Sequence, residues 1–369
     1  MRVAIMGRSL RGQFSGVVRY TNELIRALAP HLPGSLTVFL TQASDGLDDL
    51  PLSRIRAPFA TPNEYARALW EQAFVPRAVA RLHPDVYHSP NYILPVGVHC
   101  PTVVTVHDLA FMDRSVHRLR SHLYLSLLTT LALRRATRII CVSGFTRDRL
   151  VERFPGTKAR VRVVSEGVGP EFTPQDGEVV ERFRRRYGVN HPYVLFVGVI
   201  EPRKNLVRLM DGFAQAVERT GTSHDLLIAG GRGWKNADVG AAYETSPVRD
   251  RIHFLGYLPE EDLPAAYTGA DVFAYPSFYE GFGLPPIEAM ACGTAVLTSA
   301  VASLPEVVAD AALTIDPRNQ DQITSGLVSL LSNPTRRDEL AGAGLRRAQL
   351  FRWEQVARDT LDVYQEAVG

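Results

Sequence analysis

The chain has 369 residues, 46% apolar and 22% charged, which is a globular composition and longer than one hydrophobic core usually serves. Its 41 Lys and Arg against 39 Asp and Glu leave a formal net charge of +2, so overall charge gives no case for nucleic-acid binding. Cys100, Cys141 and Cys292 are too far apart for a zinc or dithiol pair and read as buried thiols of a reducing compartment, while no segment has membrane-span or signal-peptide length.

Taken in chain order, short apolar runs alternate with helical periodicity. Val3–Met6, Leu36–Leu40, Val86–His88, Thr102–Val106, Arg138–Val142 and Val161–Val164 read as strands. Val17–Leu28, Glu64–Arg81, Leu119–Leu133 and Phe145–Phe154 read as helices between them. Strands apolar throughout, separated by amphipathic helices, predict a parallel sheet covered on both faces, hence an α/β fold. From Ser165 to about Gly177 the pattern lapses into a Gly- and Pro-rich linker, and then the alternation restarts. Tyr193–Val199, Asp225–Ala229, Ile252–Leu255, Val272–Tyr275, Ala295–Thr298 and Leu313–Ile315 read as strands of a second α/β domain. Its helices fall near Leu206–Arg219, Glu261–Tyr267, Leu284–Ala291 and Asp321–Leu331, and Thr335–Gln349 and Trp353–Ala367 close the chain as helices. The expected domains are residues 1–170 and 171–352, with a helix at about 353–369 packing back on the first.

The most informative stretch is Tyr279 to Gly293, a glycine-rich loop that enters a short apolar helix with Glu280 and Glu288 eight positions apart. Gly281 and Gly283 let the backbone approach a ligand, and Pro285 and Pro286 suit a first helical turn. The helix start offers N–H groups and a positive dipole end to a phosphate, and the two carboxylates suit a ligand that also carries hydroxyls; ordinary capping would use the same residue types. Strand 192–200 ends in Arg203-Lys204, a fork and a point charge at the carboxyl end of a parallel strand, suited to a diphosphate. The alternative for this pair is a solvated turn before a helix capped by Asn205.

His107-Asp108 also closes a strand; His107 could accept a hydrogen bond from a sugar hydroxyl or help orient an acceptor, with Asp108 fixing its tautomer, or be structural. Gly7 to Gly12 has P-loop glycine spacing, but Gln13-Phe14 replace the required Lys and Ser/Thr, leaving a loop before the helix at Gly16. No Asp-x-Asp occurs, so no metal is expected to bridge a diphosphate and no cofactor is expected. The Arg182–Arg186 cluster reads as a solvated helix face, and Leu119–Arg138 either packs between elements or rests on an anionic membrane.

Together, Gly16-Val17-Val18-Arg19-Tyr20, Thr105-Val106-His107-Asp108, Glu201-Pro202-Arg203-Lys204-Asn205 and Glu280-x7-Glu288 resemble the retaining glycosyltransferases of family four, over nearly the whole chain. The resemblance implies the GT-B fold, two Rossmann-like domains facing each other across a cleft, and transfer from a nucleotide-sugar donor to a glycan or lipid-linked acceptor, independent of metal. It places Arg203 and Lys204 on the donor diphosphate, Glu288 on the ribose, Glu280 on the sugar hydroxyls and His107 beside the transferred sugar. Backbone of Gly281, Phe282, Gly283 and Leu284 would meet the donor, Gly16 would line the cleft, and Phe254, Gly256, Tyr257 and Leu258 would pass the nucleobase. Glu166-Gly167-Val168-Gly169 departs from the Asn-Gly-Val-Asp type hinge of many relatives. The motifs look most like bacterial mannosyltransferases of polysaccharide assembly, so GDP-mannose is the expected donor, with UDP-glucose or a deoxysugar donor as alternatives. A sugar-nucleotide epimerase, a phosphorylase or a non-catalytic scaffold on the same fold are the other readings. The expected address is cytoplasmic, with peripheral contact at the inner membrane face as an option and no nucleic-acid partner.

Overall fold

A computed structural model describes the chain except residues 8–15, 42–46, 48, 59–67, 111–118, 232, 234 and 235, and the side chains of 119–125. Two compact units emerge, Met1–Gly167 with Arg352–Gly369, and Val168–Phe351.

In the first unit the described residues form a seven-stranded sheet: β1 (Val3–Met6), β2 (Leu36–Leu40), β3 (Ser53–Arg56), β4 (Val86–Ser89), β5 (Thr102–Val106), β6 (Arg138–Cys141) and β7 (Val161–Val163). Every pairing is parallel, in the order β3-β2-β1-β4-β5-β6-β7. β1, β4 and β5 are buried along their whole length, as strands covered on both faces must be. β3 falls outside the sequence expectation because Ser-Arg-Ile-Arg at a sheet edge is half exposed and carries no apolar run.

The helix Gly16–Leu28 and the last helix, Trp353–Val368, pack on one another within this unit. Tyr364 of the last helix meets His88 Nδ1 at 2.6 Å, and Glu366 pairs with Arg138 and Arg162 at 3.1 and 2.8 Å. The expected helix Glu64–Arg81 begins among residues outside the described set; its described part runs through a π turn, Trp70–Phe74, into Val75–Leu82.

The second unit contains a six-stranded parallel sheet built from β8 (Tyr193–Val197), β9 (Asp225–Ala229), β10 (Ile252–Gly256), β11 (Val272–Tyr275), β12 (Val296–Ser299) and β13 (Leu313–Ile315). The order β10-β9-β8-β11-β12-β13 is that of a Rossmann sheet, 3-2-1-4-5-6 in chain order. Chain order therefore reverses between β8 and β11, and ligands of such sheets bind at the carboxyl ends flanking that reversal. Gly177–Tyr187, seen in sequence only as a basic cluster, is a helix that buries Phe183 and stops at Gly188 in the left-handed region (φ 66°). No helix among the described residues is long and apolar enough to cross a membrane.

Candidate active site

The carboxyl ends of β8, β9 and β10 are joined by main chain alone. Gly198 N donates to Ala229 O (2.9 Å) and Gly230 N to Gly256 O (2.7 Å). A Cβ on Gly230 would lie 1.9 Å from Gly198 O, so only glycine allows this approach.

From this edge the chain enters the turn Pro202–Lys204, followed by Asn205 in the left-handed region (φ 61°) and the helix Leu206–Thr220. The side chain of Asn205 does not cap that helix, contrary to the solvated-turn alternative. Its Nδ2 donates to Pro276 O (3.1 Å) and Pro317 O (2.8 Å), fastening the turn to the segments after β11 and β13. Phe278 N donates back to Arg203 O at 2.9 Å. These bonds bring Arg203 and Lys204 over the end of β11, at the reversal point of the sheet.

There they meet Glu280. Arg203 Nη1 donates to Glu280 Oε2 (2.7 Å) and Tyr279 O (2.6 Å), and Lys204 Nζ donates to Glu280 Oε1 (2.8 Å) and to the Tyr275 hydroxyl. Glu201 holds the other side of Arg203, at 2.7 Å from Nη2. Two cations and two carboxylates thus balance in one cluster. Lys204 and Glu280 are 6% and 7% exposed, so each needs its counter-charge. Burial alone would push the Glu280 carboxyl up, but Arg203 and Lys204 overcome it and hold the group down at about 2. Burial pulls Lys204 below its ordinary value against the pull of Glu280, and raises the Tyr275 phenol.

Glu280 leads directly into Gly281–Leu284 and the helix Leu284–Ala291. Ser303 Oγ donates to the carbonyls of Glu280 (3.0 Å) and Phe282 (2.7 Å), pinning this loop. Gly283 has φ 121°, and a Cβ there would press on Leu304 at 2.8 Å. Phe282 packs edge-on against Phe351, 5.7 Å between centroids, so it presents main chain rather than its ring. Pro285 and Pro286 have no N–H, which leaves the amides of the loop and of Leu284 as the donors at this helix start.

Residues 14–172 match the model described as Glycosyltransferase Family 4, and residues 180–347 that described as Glycosyl transferases group 1. The chain belongs to the family 4 glycosyltransferases. It is 29% identical to the O-antigen chain mannosyltransferase B of Escherichia coli over 99% of this chain and 100% of that one. Among solved structures it resembles WaaG, a glycosyltransferase involved in lipopolysaccharide biosynthesis, with TM-score 0.79 and 19% identity over 98% of this chain and 99% of that one. It also resembles Anabaena HepE in complex with UDP-glucose, with TM-score 0.78 and 17% identity over 98% of each chain. These two likenesses show the GT-B fold.

The other expected site residues of this glycosyltransferase fall in several places. Glu288 is 1% exposed and accepts a hydrogen bond from the Tyr267 hydroxyl at 2.9 Å. Phe254 and Gly256 belong to the edge strand β10 and Tyr257 and Leu258 follow it; Phe254 and Tyr257 are exposed, Gly256 has φ 70° and Leu258 is buried. Gly16 opens the first helix of the first unit, and the Gly7–Gly16 loop lies mostly outside the described residues. Among the described residues no cluster of three or more His, Cys, Asp or Glu is placed to hold a metal ion.

His107 departs from expectation. Its Nδ1 lies 2.9 Å from Glu166 Oε1 and its Nε2 3.0 Å from Pro90 O, while Asp108 Oδ1 accepts from Ala110 N instead of the imidazole. Glu166, not Asp108, orients the ring, and with both nitrogens hydrogen-bonded inside the protein His107 is not poised to accept a bond from a sugar hydroxyl. In sequence Glu166 stood out only as a departure in the linker; 59 residues from His107, it gave no sign of the pairing.

Proposed function

We propose that this glycosyltransferase transfers a hexose from a nucleoside-diphosphate sugar, bound at the reversal point of the second sheet, to a hydroxyl of a glycan or lipid-linked acceptor in cell-surface polysaccharide assembly. The observation that carries the reading is the convergence of Arg203 and Lys204 with the Glu280–Leu284 loop. In this reading the departing diphosphate takes up the two cations and the loop amides, and its charge is met without a metal. Each such contact is worth about 3–4 kcal/mol at the transition state, or roughly 10²–10³ in rate.

We further propose that the anomeric configuration is retained through front-face attack, with the leaving phosphate drawing off the acceptor proton. The state of Glu280 supports this path: a carboxylate held at about 2, with both oxygens on cations, is a poor base and a poor nucleophile. The donor is GDP-mannose, a choice supported by the full-length similarity to a mannosyltransferase. A screen of GDP-mannose, UDP-glucose and deoxysugar nucleotides for hydrolysis and transfer tests it. Release of GDP from GDP-mannose supports the reading, preference for another donor revises the sugar, and epimerisation without acceptor or complete silence overturns it.

A further inference from the structure

His107 and Glu166 are buried together in the first unit, 9% and 4% exposed. A main-chain carbonyl only accepts hydrogen bonds, so His107 Nε2 carries a hydrogen toward Pro90 O (3.0 Å). An ionised carboxylate likewise only accepts, so beside an ionised Glu166 the Nδ1 carries a hydrogen too (2.9 Å). An imidazole with hydrogens on both nitrogens is a cation, and a buried cation persists only beside a counter-charge. The three bonded groups follow three different strands: Pro90 follows β4, His107 follows β5 and Glu166 follows β7. All three stand at carboxyl ends of a parallel sheet, the edge where α/β sheets take ligands.

We infer that Glu166 is a positioning residue, which keeps His107 as an imidazolium and so ties the loops after β4, β5 and β7 into one fixed edge. His107 then acts as a cationic cross-link and not as a general base. The inference bears on catalysis only through the transferase reading, but the ion pair itself can be tested without any substrate.

The surroundings agree with a charged ring. Burial alone would lower the His107 value, and Glu166, the Pro90 carbonyl and Asp108 together outweigh it and raise it above the ordinary 6.5. The ring of Tyr20 stands edge-on at 4.7 Å between centroids and carries no charge, because burial raises its phenol. His88, between Tyr364 and Thr105, is held neutral by burial at about 3, so it does not compete for the proton. A His value raised by folding stabilises the protein fully below 6.5, and that contribution is lost as pH rises through the folded value.

The test is an NMR pH titration of histidine-labelled full-length protein, wild type against Glu166→Gln and Glu166→Asp. Wild-type His107 should keep its imidazolium signature above pH 6.5, and Glu166→Gln should move the midpoint below 6.5. Glu166→Asp should restore part of the shift, and it carries the test if Glu166→Gln does not fold. A wild-type midpoint at or below 6.5, or midpoints unmoved in the variants, overturns the inference. In transfer assays the pH break should move with the NMR midpoint, whereas a merely structural role would lower activity at every pH and leave the break in place. An enzyme silent with every sugar nucleotide would sink the transferase reading and leave the titration result standing.

Discussion

Glu280→Gln is the most revealing single change in the charge cluster. The substitution keeps the shape of the side chain and removes the charge that lies between Arg203 and Lys204. Folding lowers the Glu280 carboxyl from 4.5 to about 2, a difference worth about 3 kcal/mol. Because the folded value is depressed, this contribution is present above pH 4.5 and fades as pH falls toward 2. The variant should therefore lose on the order of 3 kcal/mol at pH 7, as expected when one partner of a buried ion pair is removed, and lose little near pH 2. Two units need not unfold together, so native-state hydrogen exchange on β8 and β11 in the intact chain is the suitable assay. A nucleoside diphosphate should replace the missing negative charge, so GDP or UDP should protect these strands more in Glu280→Gln than in wild type. A loss below about 1 kcal/mol at pH 7, the size expected of an exposed pair, would refute the coupling. Equal protection of both proteins by the diphosphate would refute its use of the same cations.

Lys204→Ala should lower turnover by roughly 10²–10³ with the secondary structure intact, measured by steady-state kinetics and circular dichroism; near-normal kcat would remove Lys204 from the chemistry. Asn205→Ala strips the buried carbonyls of Pro276 and Pro317 of their donor and should cost about 2–4 kcal/mol in urea unfolding. Asn205→Gly, which tolerates φ 61°, should show the same loss if the hydrogen bonds matter more than the backbone. Gly230→Ala should destabilise the second unit by on the order of 4 kcal/mol or prevent its folding, read by soluble yield and calorimetry, because its Cβ meets Gly198 O at 1.9 Å.

The central strands were legible in sequence because parallel strands buried on both faces must be apolar throughout, as Tyr193–Val197 and Thr102–Val106 are. Ser53–Arg56 and Gly177–Tyr187 were not, since an edge strand and a helix with one fully buried side chain carry little apolar pattern. The meeting of Arg203, Lys204 and Glu280 was foreshadowed because a strand end and a glycine-rich turn of one α/β sheet open on the same edge. What local sequence could not supply was the choice of partner. Asp108, adjacent in the chain, looked like the companion of His107, and the distant Glu166 holds that place. Asn205 looked like a cap and is a strut between two carbonyls.

The glycine contacts beneath the charge cluster bear on how donor choice can change. Gly230 meets Gly198 backbone to backbone, so this contact is set by the main chain and leaves no room for a side chain at Gly230. Val199, Phe254 and Tyr257 stand exposed nearby, Phe254 with its ring edge-on to Tyr243. Under the proposed function, a library restricted to these three positions should change the preferred base or sugar while the contacts of Arg203 and Lys204 with Glu280 stay in place.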